Sequence, residues 1–153
     1  MYPWFRNQCA CSVMELNCFE RGTTGNENEV KAMLQSLDST VLNSLIISHC
    51  HGLVILEEIR RFNRLMTLEL YNSTVLSLTS NASLSLPFHS FLTTVYIVWS
   101  QLIGGLPEGL TTALSPNIID IEFVASNLGG SLPSDFDEKW PSVTMLYVEH
   151  CGL

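Results

Sequence analysis

An apolar triplet of fixed internal spacing recurs along this chain, and it always meets a small residue three positions further on. Leu42, Leu45 and Ile47 lead to Cys50, and Leu65, Leu68 and Leu70 lead to Ser73. The series continues as Leu92, Val95, Ile97 and Ser100; Ile118, Ile121, Phe123 and Ser126; and Val143, Leu146, Val148 and Cys151. Successive copies start 23, 27, 26 and 25 residues apart, a period that belongs to stacked strand-turn-return units. Each copy predicts one short strand whose alternate residues face inward. One unit alone cannot bury that face, whereas a stack can. The 153 residues suit a single array and leave no room for two enzymatic lobes. The 23 leucines supply its core.

The third and fourth copies agree beyond the triplet. Leu102, Gly104, Leu106, Pro107 and Leu110 match Leu128, Gly130, Leu132, Pro133 and Phe136 at identical spacing. The pattern resembles the plant-type leucine-rich repeat LxxLxLxxNxLxGxIPxxL, with Ser in place of the usual Asn. The resemblance implies an α/β fold, a leucine-rich-repeat solenoid wound as a right-handed β-α superhelix. Its parallel strand sheet would line the concave face over about five repeats. Asn normally satisfies buried backbone groups along such a ladder, and Ser or Cys is expected to do so more weakly. The longer segment from Leu76 to Phe91, rich in Ser, Thr and Asn, is expected to bulge as a loop from the return side. Val30, Met33, Leu34 and Leu37 lie at helical spacing within residues 28–37, predicting an amphipathic helix that covers the first strand. The organisation expected is an N-terminal cap over residues 1–38, made of a cysteine hairpin and this helix, and an array over 39–153.

Five cysteines divide into a trio, Cys9, Cys11 and Cys18, and the isolated Cys50 and Cys151. For the trio, one disulfide to Cys18 is the preferred reading, and spacing does not say whether Cys9 or Cys11 is its partner. Cys50 and Cys151 occupy the ladder place and are expected as small buried hydrophobes. The stretch from Tyr2 to Cys18 resembles the cap of oomycete surface proteins that carry leucine-rich repeats. The run IIDIEFVASNL and the Lys139-Trp140-Pro141 triplet are similar to the same family. That resemblance implies a non-catalytic ectodomain of a larger membrane-attached protein. With no secretory signal at Met1 and no spanning segment, the chain is then expected to be a fragment.

Composition removes several functions. Fifteen acidic against seven basic side chains give a net charge of −8, which repels phosphate backbones, so no nucleic-acid partner is expected. The longest apolar run, Val95 to Leu106, is too short for the roughly 20 residues of a spanning helix, so this segment is not expected to insert into a membrane. The Gly104-Gly105 and Gly129-Gly130 pairs precede no Lys-Ser or Lys-Thr and read as turns. No nucleophile elbow is present, and no His is placed beside a Ser or Cys nucleophile by a recognised spacing, so no catalysis and no cofactor are expected. His49, Cys50 and His51 do not converge in the repeat register, and His150 and Cys151 occupy the same places four rungs away, so no metal site is expected.

The residues between and after the inward leucines form an aromatic and acidic strip. Its candidate binding residues are Glu69, Tyr71, Tyr96, Trp99, Asp120, Glu122, Tyr147 and Glu149, with Val98 among them. Rings supply contact area and carboxylates select basic partners. Asn72 and Asn81 head two glycosylation triplets. The function expected is a protein-binding or peptide-binding module, with basic ligands favoured, on the extracellular side. An intracellular repeat scaffold and the regulatory ectodomain of a receptor kinase are the alternatives.

Overall fold

The structure is a computed structural model that describes residues 10–152. Six five-residue strands form one sheet: β1 (Val13–Asn17), β2 (Ser44–Ser48), β4 (Thr67–Tyr71), β6 (Thr94–Val98), β8 (Asp120–Val124) and β9 (Met145–Glu149), in that order. Every pairing in it is parallel. A second parallel sheet takes the segment that follows each of three of these strands: β3 (Leu53–Ile55), β5 (Thr74–Leu78) and β7 (Gln101–Leu102). The chain therefore has an α/β fold of parallel sheets, compatible with a solenoid-like layout.

Register follows the apolar triplets. Leu45, Leu68, Val95, Ile121 and Leu146 lie side by side across the sheet, as do Ile47, Leu70, Ile97, Phe123 and Val148. Leu68, Val95, Ile97, Ile121 and Phe123 are at most 1% exposed. With side chains alternating along each strand, this register puts all the triplet residues into one continuous core. Trp140 closes it beneath the fourth copy. Its ring stacks on Phe123 at 6.4 Å, and its indole N–H donates to the Leu110 carbonyl at 2.6 Å.

The small residues after the first four triplets make a hydrogen-bonded chain. Ser73 Oγ accepts from the Cys50 amide at 3.1 Å, Ser100 Oγ from the Ser73 amide at 3.1 Å, and Ser126 Oγ from the Ser100 amide at 3.0 Å. Each hydroxyl also donates to a carbonyl of its own rung, at Tyr71, Val98 and Val124. A short hydroxyl fits here because Ser73, Ser100 and Ser126 are all buried.

Helix is sparse. The returns carry only single turns, such as α3 (Glu108–Thr111) and α4 (Phe136–Lys139), so the helical half of the expected superhelix is small. Prolines at 107, 116, 133 and 141 and the paired glycines interrupt longer helical runs. Gly129 has φ +70°, and a Cβ there would lie 2.6 Å from the Leu102 carbonyl oxygen, so the turn requires glycine.

The N-terminal region departs from the hairpin expected there. β1 runs parallel to β2, pairing Val13 with Ser44 through Asn17 with Ser48, and so adds a sixth strand to the sheet. Its apolar alternation is that of the other strands, with Leu16 fully buried. After β1 come one turn, α1 (Cys18–Arg21), and the expected amphipathic helix, α2 (Glu27–Gln35). α2 begins in a capping box: Asn26 accepts from the Glu29 amide, and the Glu29 carboxylate accepts from the Asn26 amide. Its buried Val30, Met33 and Leu34 pack toward β3.

The disulfide also differs from the expectation. Cys18 bonds to Cys50, with both residues fully buried and their Cα atoms 5.0 Å apart. Cys11 precedes β1 and Cys18 follows it, so the strand separates them by roughly 16 Å, while a disulfide spans less than about 7 Å between Cα atoms. Parallel pairing of Asn17 with Ser48 brings Cys18 beside the end of β2 instead. Cys50 is buried at its ladder place, and it is a bonded residue rather than the plain buried hydrophobe expected there. Cys11 is in a disulfide as well, and Cys9 lies outside the described residues. Cys151 is a half-buried free thiol directed at the Phe123 and Glu149 carbonyls, both at 3.4 Å.

The return between β5 and β6 is packed rather than bulging. Ala82, Leu84 and Ser85 are buried and His89 is 0% exposed, while Leu86 and Phe91 remain exposed. His89 Nε2 lies 3.1 Å from the Ile59 carbonyl, which can only accept, so Nε2 carries the proton. Nδ1 is buried without a hydrogen-bond partner. Burial holds the imidazole below its usual pKa, the Ile59 hydrogen bond opposes that shift, and the Arg60 charge adds to it.

Candidate functional site

With the triplets pointing inward, each strand of the large sheet turns three side chains outward, and the parallel register lines them up in rows across it. The central row reads Glu15, Ile46, Glu69, Tyr96, Glu122 and Tyr147. One flanking row contains Thr94, Asp120 and Met145; the other contains Tyr71, Val98, Val124 and Glu149. Glu69, Tyr96, Glu122 and Tyr147 thus fall in one row, with Asp120, Tyr71 and Glu149 in the rows beside it. Trp99 sits beyond the end of β6, on the rim of the sheet, and is 59% exposed.

Neither Lys nor Arg occurs in any of these six strands, and carboxylates are crowded there without an opposing charge. Glu69 is held above its ordinary pKa by partial burial and then by the charge of Glu15. Glu122 is raised by partial burial and then by Asp120. Burial also raises Tyr96, reinforced by Asp120, Glu122 and Glu69. Tyr147 is raised by its hydrogen bond to Glu149, which its hydroxyl donates at 2.5 Å. One carboxylate oxygen of Asp120 is buried with no hydrogen-bond partner. Chemically, the face offers acceptors and ring surface, and it would gain by meeting cations.

Glu15 and Ile46 were missed as candidates. The VMELN segment has the same alternation as the triplet strands, with Glu15 between Met14 and Leu16, and that signal could have found Glu15. Glu15 accepts a hydrogen bond from the Ser48 hydroxyl at 2.5 Å.

At the rim, the residue after each strand from β2 onward has a left-handed backbone: His49, Asn72, Trp99, Ala125 and His150, with φ between 44° and 56°. The turn keeps the ladder intact, since the His49, Asn72, Trp99 and Ala125 amides donate to carbonyls of the next strand. It also projects side chains sideways, so that Tyr71 meets His49 at 5.7 Å on one side and Trp99 at 5.4 Å on the other. Asn72 lies 2.9 Å from His49 Nδ1 through its amide nitrogen. Asn72 is therefore exposed on the sheet rim, not on the return loop, whereas Asn81 is exposed on a 3-10 turn over Ser80–Ala82. Among the described residues, no group of three or more His, Cys, Asp and Glu side chains could hold a metal ion.

Comparisons with protein-family models and with curated proteins find nothing that matches this chain.

Proposed function

We propose that this chain is a leucine-rich-repeat solenoid that works as a non-catalytic binding module, its outward sheet face taking a protein or peptide ligand of basic character. The observation that carries the reading is the central row, where carboxylates and tyrosines share a face with no cation in its strands. Packing alone does not require this, because Thr, Ser and Val would serve an unemployed face equally well. The repeat assignment is supported by the shared register of the triplets and by the serine chain behind them.

Placement on the extracellular side, as the recognition segment of a larger membrane-attached protein, is supported by the buried Cys18–Cys50 disulfide, since such bonds persist in oxidising compartments. No helix among the described residues is long and apolar enough to cross a membrane. Mass measurement of secreted protein with and without reductant tests the placement; a chain isolated fully reduced and without glycan at Asn72 and Asn81 would oppose it.

A labelled oligolysine probe tests the binding face. Saturable binding is expected, weakened by Tyr96→Ala, Glu69→Gln and Glu122→Gln and untouched by Glu108→Gln on the return side. Silence of the three face variants, with loss at Glu108, would remove the proposed site.

A further inference from the structure

The central row alternates as regularly as it is charged. Its order is Glu15, Ile46, Glu69, Tyr96, Glu122, Tyr147: a carboxylate on every second strand, with an apolar or aromatic side chain between. Adjacent strands lie about 4.7 to 4.9 Å apart, so successive carboxylates of the row repeat every ~9.4 to 9.8 Å.

Few peptide conformations present cations at that interval along one face. A β-strand repeats its face every ~6.6 to 6.8 Å. An α-helix returns to the same face after seven residues, at ~10.5 Å. A polyproline II helix has three residues per turn and rises 3.1 Å per residue, so every third side chain shares a face at ~9.3 Å. Over the span from Glu15 to Glu122 the polyproline mismatch stays below about 1 Å, while the helical one grows to nearly 2 Å.

The residues between the acids agree with this. Proline-rich segments in this conformation dock between exposed aromatic rings, and Tyr96 and Tyr147 occupy the alternate places, Tyr147 46% exposed. Opposing charge is missing from the strands, so a cationic ligand supplies what the face lacks.

We infer that the ligand of this face is an extended, proline-rich peptide in the polyproline II conformation, with Lys or Arg at every third position, laid across the strands along the row from Glu15 to Tyr147. This rests on the binding-module reading above and adds to it the ligand's conformation and charge spacing. The cations pair with Glu15, Glu69 and Glu122, and the intervening prolines cover Ile46, Tyr96 and Tyr147.

The test uses the full chain and three labelled peptides of equal charge, followed by fluorescence anisotropy. One is a Lys-Pro-Pro repeat, one has the same composition with its lysines gathered at one end, and one is an Ala-rich helix with Lys at every seventh place. The repeat should bind about tenfold more tightly than the gathered peptide, because misplacing two cations forfeits two exposed ion pairs. Glu69→Gln and Tyr96→Ala should each reduce that preference, with the fold of each variant checked by circular dichroism. Equal binding of all three peptides that still depends on Glu69 would overturn the spacing inference and leave the binding face standing. Tighter binding of the helical peptide would overturn the conformation. Failure of every peptide to bind, or binding indifferent to both variants, would overturn this inference and the binding face together.

Discussion

Leu68 and Glu69 are neighbours in sequence with opposite surroundings: Leu68 is 1% exposed inside the core, and Glu69 lies outward among other acids. Leu68→Ala should cost about 2 to 5 kcal/mol, since it removes buried atoms and leaves a cavity. Glu69→Ala should change stability by no more than about 0.5 kcal/mol. Urea denaturation of both variants checks the pair, and equal effects would contradict the register. Ser100 offers a subtler case, because its hydroxyl satisfies the Ser73 amide and is itself buried. Ser100→Ala should cost about 1 to 3 kcal/mol by orphaning that amide, although it deletes a single oxygen. The apolar residues were legible in the sequence because burial follows periodicity. The ladder place of the serines was legible from the same spacing, whereas the direction of their hydrogen bonds was not, since a hydroxyl's partners depend on the neighbouring rung.

At the scale of elements, the alternation of VMELN marks β1 as a strand, but its partner could not be read from the sequence. The Cys18–Cys50 bond exists only because β1 lies parallel to β2. Pairing direction is a tertiary choice, and nearness in sequence misled the assignment of Cys18. Cys18→Ser should cost about 2 to 5 kcal/mol in oxidising buffer and little under reductant, whereas Cys151→Ser should respond equally in both. Thermal melts in the two buffers check this, and identical behaviour of the two variants would refute the division.

The return between β5 and β6 carries an acid response. His89 is buried, and burial, with the Arg60 charge, depresses its pKa in the folded state. The unfolded chain binds a proton near the ordinary 6.5, while the folded chain refuses it until a lower pH, so stability falls as pH drops below about 6.5. Melting curves should show that slope, and His89→Gln should flatten it. The acids of the central row act oppositely. Glu69 and Glu122 are raised in the folded state, so protonating them at low pH favours folding, and their contribution is lost as pH rises through the folded values. Glu122→Gln should therefore raise the melting temperature at neutral pH, with the gain vanishing in acid.

For the whole molecule, charge is segregated. Among the described residues, the basic side chains, at 21, 31, 60, 61, 64 and 139, all fall outside the six strands of the large sheet. Association of a cationic peptide should then be steered by that face, with its rate falling steeply as salt is added. Stopped-flow measurements with Glu69→Gln should give a slower on-rate and a flatter salt dependence, and an unchanged slope would argue against steering. The strip itself was legible in the sequence from alternation. The alternation of acid and ring across strands was not, because that order runs perpendicular to the chain and is read only after the strands are set side by side.

The serine chain has a direction. The amide of Cys50 waits on the hydroxyl of Ser73, that of Ser73 on Ser100, and that of Ser100 on Ser126, never the reverse. Each rung is thus finished by the one made after it. As the chain is synthesised, every new rung closes the account left open by its predecessor, so the array grows by vectorial completion. Unzipping inherits the same polarity: detaching a later rung strands an amide in the core behind it, whereas detaching an earlier one strands none of these. Deuterium should therefore reach the three amides in the order Ser100, Ser73, Cys50.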